Sequence, residues 1–205
     1  MAGSAWWSVS ARLAPFLIVC SFASVLTCSD FTSAEELEQN VPQGSNRGDV
    51  ELVLKDSRLD HIPPTVLQQI KPSVLVLNNV TVGSYKVPNS DASAFEELQD
   101  TLKKLVFYKN SSQPRSWALL KGNRLLKELL FFRMGPLRLG QDFNELPPSV
   151  TDISVVQSTV SEVDDRWLSS LDNLETVRLD KVNLKRFERT MLPRPASRLR
   201  SLTIT

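Results

Sequence analysis

The chain has 205 residues, 41% of them hydrophobic and 23% charged, with 7 Gly and 12 Pro, which excludes a disordered or collagen-like chain. Lys+Arg 24 against Asp+Glu 23 gives a net charge of +1, without the basic excess of a dedicated nucleic-acid binder. One His and two Cys exclude a zinc site built from His and Cys alone and a disulfide-dense scaffold.

Arg12 precedes an apolar run from Leu13 to Leu26. Its length suits a signal-peptide core and is short of a bilayer span. Residues 1–28 therefore read as a signal peptide, with small residues at Ala23, Ser24, Thr27 and Ser29 as cleavage points and a cut expected near 27–29. No later stretch approaches the ~20 apolar residues of a membrane helix. The expected location is extracellular, and a membrane anchor would come only from a segment beyond Thr205. Residues 29–48 read as a polar lead-in containing Pro42, Gly44, Ser45, Asn46 and Gly48. Within it Ser33 and Glu36 have capping-box spacing.

From residue 49 onward the chain repeats itself. Apolar pairs two apart recur as Leu52/Leu54, Leu75/Leu77, Leu105/Phe107, Leu129/Phe131, Ile153/Val155, Val177/Leu179 and Leu202/Ile204, with first members spaced 23, 30, 24, 24, 24 and 25. Leu102, Leu126, Val150, Leu174 and Leu199 stand three positions before their pairs. Leu59, Val82, Val160 and Leu184 follow five positions after. Residues two apart lie on one side of a strand, so each copy supplies a short strand with an inward apolar pair. One copy cannot bury that face, and stacked copies can. Return helices or turns are expected over 65–70, 94–102, 117–126 and 166–171. Residues 116–130 alone would also fit a basic amphipathic helix, but the repeat phase claims Leu126, Leu129 and Phe131.

These copies resemble the leucine-rich repeat, L-x-x-L-x-L-x-x-N-x-L at 20–29 residues per copy, over about 155 residues. The resemblance implies an α/β fold, a leucine-rich-repeat solenoid with a curved parallel sheet and short helices or turns on its convex side. About seven copies fill 49–205, the last incomplete, so a C-terminally incomplete fragment is expected. The chain is also similar to secreted or membrane-associated arthropod-type repeat proteins, the non-catalytic luciferase-subunit-like proteins and repeat membrane glycoproteins. The family's Asn position is occupied by Ser57, Val80, Asn110, Met134, Ser158 and Val182. Only Asn110 matches fully; Ser57 and Ser158 can partly substitute as hydrogen-bonders, and Val80, Met134 and Val182 leave backbone groups to find other partners.

No phosphate loop, nucleophile elbow or H-E-x-x-H helix occurs. His61 reads as a turn residue, and Glu35-Glu36, Glu96-Glu97 and Asp164-Asp165 as exposed acids. No catalytic residue, cofactor or metal site is expected. The outward strand positions are more informative. They place Val106, Tyr108, Leu130, Phe132 and Val156 side by side, an apolar patch of the kind that marks a contact site. A basic cluster at Lys181, Lys185, Arg186 and Arg189 would suit a sulfated glycan. Two N-x-[ST] sequons occur, at Asn79 and Asn110. The frame turns Asn79 outward, open to glycosylation, and Asn110 inward. The expected function is a secreted repeat protein that binds a protein ligand on its concave face; the alternative is a non-catalytic structural subunit of a secreted complex.

Overall fold

The computed structural model describes residues 25–41 and 49–205. Its strands are β1 (Val25–Ser29), β2 (Glu51–His61), β3 (Val74–Ser84), β4 (Lys104–Tyr108), β5 (Glu128–Phe132), β6 (Leu137–Leu139), β7 (Asp152–Val156), β8 (Val160–Val163), β9 (Thr176–Asp180) and β10 (Ser201–Ile204). Two α-helices, α1 (Ala34–Asn40) and α2 (Pro64–Ile70), occur among the described residues. Eight strands form one parallel sheet in the order β1-β2-β3-β4-β5-β7-β9-β10, and β6 pairs with β8 in a second, two-stranded sheet. The fold is α/β.

The apolar pairs set the register of the main sheet. Leu52 faces Leu75, Leu75 faces Leu105, and the row continues through Leu129, Ile153 and Val177 to Leu202. These inward side chains are buried as far as Leu179; fully burying a Leu or Phe contributes about 1.5–3 kcal/mol. On the last strand Leu202 and Ile204 remain 44% and 46% exposed although they share the inward register.

At its N-terminal end the sheet begins before residue 29. Leu26 and Cys28 extend the inward rows, facing Leu52 and Leu54, and both are buried. The sheet therefore has eight copies of the strand where seven were expected. A boundary at residue 28 falls inside β1. Residues 29–41 are not merely a polar lead-in: they contain α1, whose N-cap Ser33 hydroxyl accepts from the Glu36 amide. Glu36 in turn accepts from the Thr32 amide. Residues 1–24, most of the expected signal peptide, and the stretch from Pro42 to Gly48 lie outside the described residues.

The same left-handed residue recurs in seven of the eight main-sheet copies, at the end of the strand or, in β2 and β3, within it. Asp30, Asp56, Asn79, Lys109, Arg133, Gln157 and Lys181 all have φ between 47° and 66°. A left-handed residue costs a non-glycine about 1–2 kcal/mol. It recurs because the turn swings the next side chain into the core, and because the ladder continues through it. The amides of Lys109, Arg133 and Gln157 donate to the carbonyls of Phe132, Val156 and Asp180 on the next strand, at 3.1, 3.0 and 2.8 Å.

The inward residue after that turn alternates between apolar and serine, and this replaces the asparagine ladder. Ser57, Ser111 and Ser158 are buried. Their hydroxyls accept from the amides of Phe31, Val80 and Met134 in the preceding copies, at 3.1, 3.0 and 2.9 Å. Apolar residues thus occupy every second position, and the hydroxyl of the next copy satisfies their amides. The expected inward placement of Asn110 is corrected here. Asn110 is itself left-handed, with φ 59°, and exposed. The extra turn residue passes the ladder position to Ser111.

The return segments are a mixture of helix and tight turns. Residues 64–70 are helical, but Ala94–Leu98 and Trp117–Leu120 are 3₁₀ turns. Over 166–171 the bonds run i→i+3, from the amides of Ser169 and Leu171 to the carbonyls of Arg166 and Leu168. Copy length does not decide between helix and turn, since the 23-residue copy holds α2 and the 30-residue copy holds the Ala94–Leu98 turn. The amphipathic helix over 116–130 does not form, and β5 takes its second half. Beneath the sheet the core is aromatic. Phe107 stacks on Phe131 at 5.4 Å, and Trp117 meets Phe131 edge-on at 5.6 Å and Phe143 at 4.8 Å.

Candidate functional site

The candidate site lies on the side of the sheet facing away from that core. Strand alternation puts Val53, Val76, Val106 and Leu130 in one row, and Asn78, Tyr108, Phe132 and Val156 in the next. Val106, Tyr108, Leu130 and Phe132 are half-buried. The Tyr108 and Phe132 rings are 5.2 Å apart, tilted by 31°, within the range of favourable aromatic pairs. Val156 departs from expectation. Flanked in register by Phe132 and Asp180, it is 8% exposed and offers little to a partner.

The left-handed turns add charge that sequence reasoning did not assign to this face. The Lys109 ammonium sits 5.4 Å from the centre of the Tyr108 ring, and the Arg133 guanidinium 5.2 Å from that of Phe132. Such cation–π contacts contribute about 0.5–1 kcal/mol at exposed sites. Arg133 is held further by its Nε donating to Gln157 Oε1 at 3.0 Å. Neither cation has an ion-pair partner among the described residues. Two acids of this face are engaged. Lys104 pairs with Glu128 at 2.7 Å, and Arg178 with Asp180 at 2.5 Å. Hydrogen bonds from Arg178 and Thr205 hold the Asp180 carboxyl below the usual carboxylate range. The regular αL position after each strand was the available signal: a Lys or Arg following the aromatic is carried back beside the ring.

The basic cluster is partly neutralised. Arg186 pairs with Asp165 and with Glu188. Arg189 donates to the carbonyls of Leu192 and Pro193 at 3.3 and 2.8 Å. Of the four residues named for an anionic glycan, Lys181 and Lys185 remain exposed without an ion pair among the described residues.

The remaining candidates have structural duties. His61 ends β2, with Nδ1 2.7 Å from Asp60 Oδ2. That contact, with the amide of Ala34, lowers the Asp60 pKa. Glu96 closes a capping box with Ser93. Asp164 Oδ1 accepts from the Arg166 amide at 2.8 Å. Among the described residues no group of three or more His, Cys, Asp or Glu side chains is placed to hold a metal ion, and no helix is long and apolar enough to cross a membrane.

A groove arises where the side pairing lapses. Beyond their turns β2 and β3 stay paired, Leu59 facing Val82, while residues 111–116 of the next copy, including Pro114, form no strand. An open groove of about 800 Å³ lies there, lined by Val82, Tyr85, Lys86, Ser112, Arg115 and Leu119 among others. Tyr85 is buried beneath it and donates to the Ser112 carbonyl; burial pushes its phenol pKa up. No protein-family model matches the chain, and no curated protein matches it.

Proposed function

We propose that the chain is an exported leucine-rich-repeat solenoid that works by binding a protein partner on the outer, concave face of its sheet. The single observation that carries this reading is the half-exposed ring pair Tyr108–Phe132, 5.2 Å apart, flanked by Val106 and Leu130 and overlain by Lys109 and Arg133. Large side chains on an outward face, with cations that form no direct ion pair, suit a partner that offers apolar side chains beside carboxylates. Truncating aromatic anchors of such an interface typically loses ~2 kcal/mol or more of binding. The eight-stranded parallel sheet and the serine ladder between copies support the repeat architecture, and the side chains on this face support contact rather than chemistry.

The test compares three variants by capture and by thermal melt. Phe132→Ala and Tyr108→Ala are expected to weaken retention of a binding partner from exported material at least tenfold while the melt stays near wild type. Phe131→Ala, which opens a cavity beside Phe107 and Trp117, should destabilise the fold by about 3–5 kcal/mol. If Phe132→Ala melts as early as Phe131→Ala, the outer face is structural and the site assignment fails.

A further inference from the structure

We propose that Asn110 is an N-glycan attachment site, released for that role by the one-residue shift that puts Ser111 into the ladder. The inference rests on the export proposed above. Asn110-Ser111-Ser112 has the N-x-[ST] pattern of an acceptor. The repeat frame would have made Asn110 a buried hydrogen-bonding residue, on which a glycan would be incompatible with folding. The structure reverses that placement. Asn110 is exposed, with φ 59°, directly after Lys109 at φ 50°. Two successive left-handed residues form a tip pointing away from the core, and asparagine tolerates that conformation better than most residues. Among the described residues its side chain makes no hydrogen bond.

The duty expected of the Asn110 amide is carried by its neighbour. The Ser111 hydroxyl accepts from the Val80 amide at 3.0 Å and lies 2.8 Å from the carbonyls of both Leu77 and Tyr108. A glycan on Asn110 would therefore displace no contact of the fold. Asn79, on the neighbouring copy, is also exposed, but its Nδ2 donates to Asp56 Oδ1 at 2.7 Å. The Ser112 hydroxyl, which completes the Asn110 sequon, accepts from the Val82 amide at 3.1 Å once folded. Transfer is thus expected on the nascent chain, before that hydroxyl is engaged. The donor is an oligosaccharide linked to a lipid pyrophosphate. Asn110 Nδ2 loses one proton and bonds to the anomeric carbon, whose bond to the pyrophosphate oxygen breaks.

The test uses the full chain with its own leader in a eukaryotic secretory host. Wild type, Asn110→Asp, Asn79→Asp and the double variant are compared for glycosidase-sensitive mobility steps, in the medium and in the cells. Aspartate keeps the tolerance for the left-handed turn. Asn110→Asp should remove one step and leave the melt of deglycosylated protein unchanged. Enzymatic deglycosylation of wild type should convert Asn110 to Asp, read by mass spectrometry independently of any variant's folding. Wild type in the medium with Asn110 unconverted overturns this proposal and leaves export standing. Protein confined to the cells without any glycan overturns both, and a glycan at Asn110 on cell-retained protein supports the site while counting against export.

Discussion

Replacing Ser158 by alanine tests the serine ladder, the feature that most separates this chain from the repeat pattern it resembles. The Ser158 hydroxyl accepts from the Met134 amide at 2.9 Å and donates to the Val156 carbonyl at 2.8 Å, and the residue is buried. The Val156 carbonyl also accepts from the Arg133 amide at 3.0 Å, so it stays satisfied in the variant. The Met134 amide loses its acceptor. One orphaned buried N–H costs about 1–3 kcal/mol, equivalent to about 2–4 °C of melting temperature per kcal/mol in a chain of this size. Ser154→Ala is the control: Ser154 stands on the outward side of β7, four residues before Ser158, its hydroxyl makes no hydrogen bond among the described residues, and its loss should cost under about 0.5 kcal/mol. Urea titration of both variants reads the difference as a shift of midpoint at constant slope. Equal midpoints for Ser158→Ala and Ser154→Ala would refute the ladder as an energetic feature.

Two further outcomes follow from the same geometry. Burial raises the Tyr85 pKa, so the unfolded chain releases that proton near pH 10 while the folded chain keeps it. The stability held by the neutral phenol is complete below about pH 10 and falls as pH rises above it. Tyr85→Phe should be less stable than wild type at neutral pH, through loss of the bond to the Ser112 carbonyl, and the gap between their urea midpoints should narrow above about pH 10; a constant gap would contradict the burial. N-terminal sequencing of exported protein should begin no later than Val25, because a cut at 27–29 removes the buried Leu26 or leaves β1 too short to pair. Ser21 and Ala23 supply the small residues of an A-x-A-like cut, and a start at Cys28 or beyond would refute β1 as part of the mature fold.

The main sheet was legible because inward residues two apart, repeated at one spacing, can satisfy the hydrophobic requirement in a single register. Leu105, Leu129, Ile153 and Val177 were read from intervals of 24, and they are neighbours across β4, β5, β7 and β9. The first strand was not legible. Leu26 and Cys28 continue the apolar run that begins at Leu13, so hydrophobicity alone marks no start for the strand. The return segments were legible only as helices or turns, because apolar spacing of three or four fits an α-helix and a run of i→i+3 turns alike. Backbone bonding distinguishes them.

The site was legible in its aromatic rows and illegible in its charges, for a reason that lies in the turn. Alternation along a strand assigns Tyr108 and Phe132 to the outer face, but it ends with the strand, and Lys109 and Arg133 would then point toward the core. The left-handed residue breaks the alternation. It keeps the charged side chain outside, folds it back beside the preceding ring, and sends the following residue inward. The same break explains the asparagine error. When one left-handed residue follows the strand, the next position is the ladder, as at Ser57 and Ser158. When two follow, as at Lys109 and Asn110, the ladder moves on by one. The local sequence contains the cue in retrospect: Asn110 is a residue type that accepts φ > 0, and a serine stands directly behind it. A fixed 24-residue frame discards that cue because it counts positions, whereas the chain fills the ladder position with whichever polar side chain the turn delivers to the core.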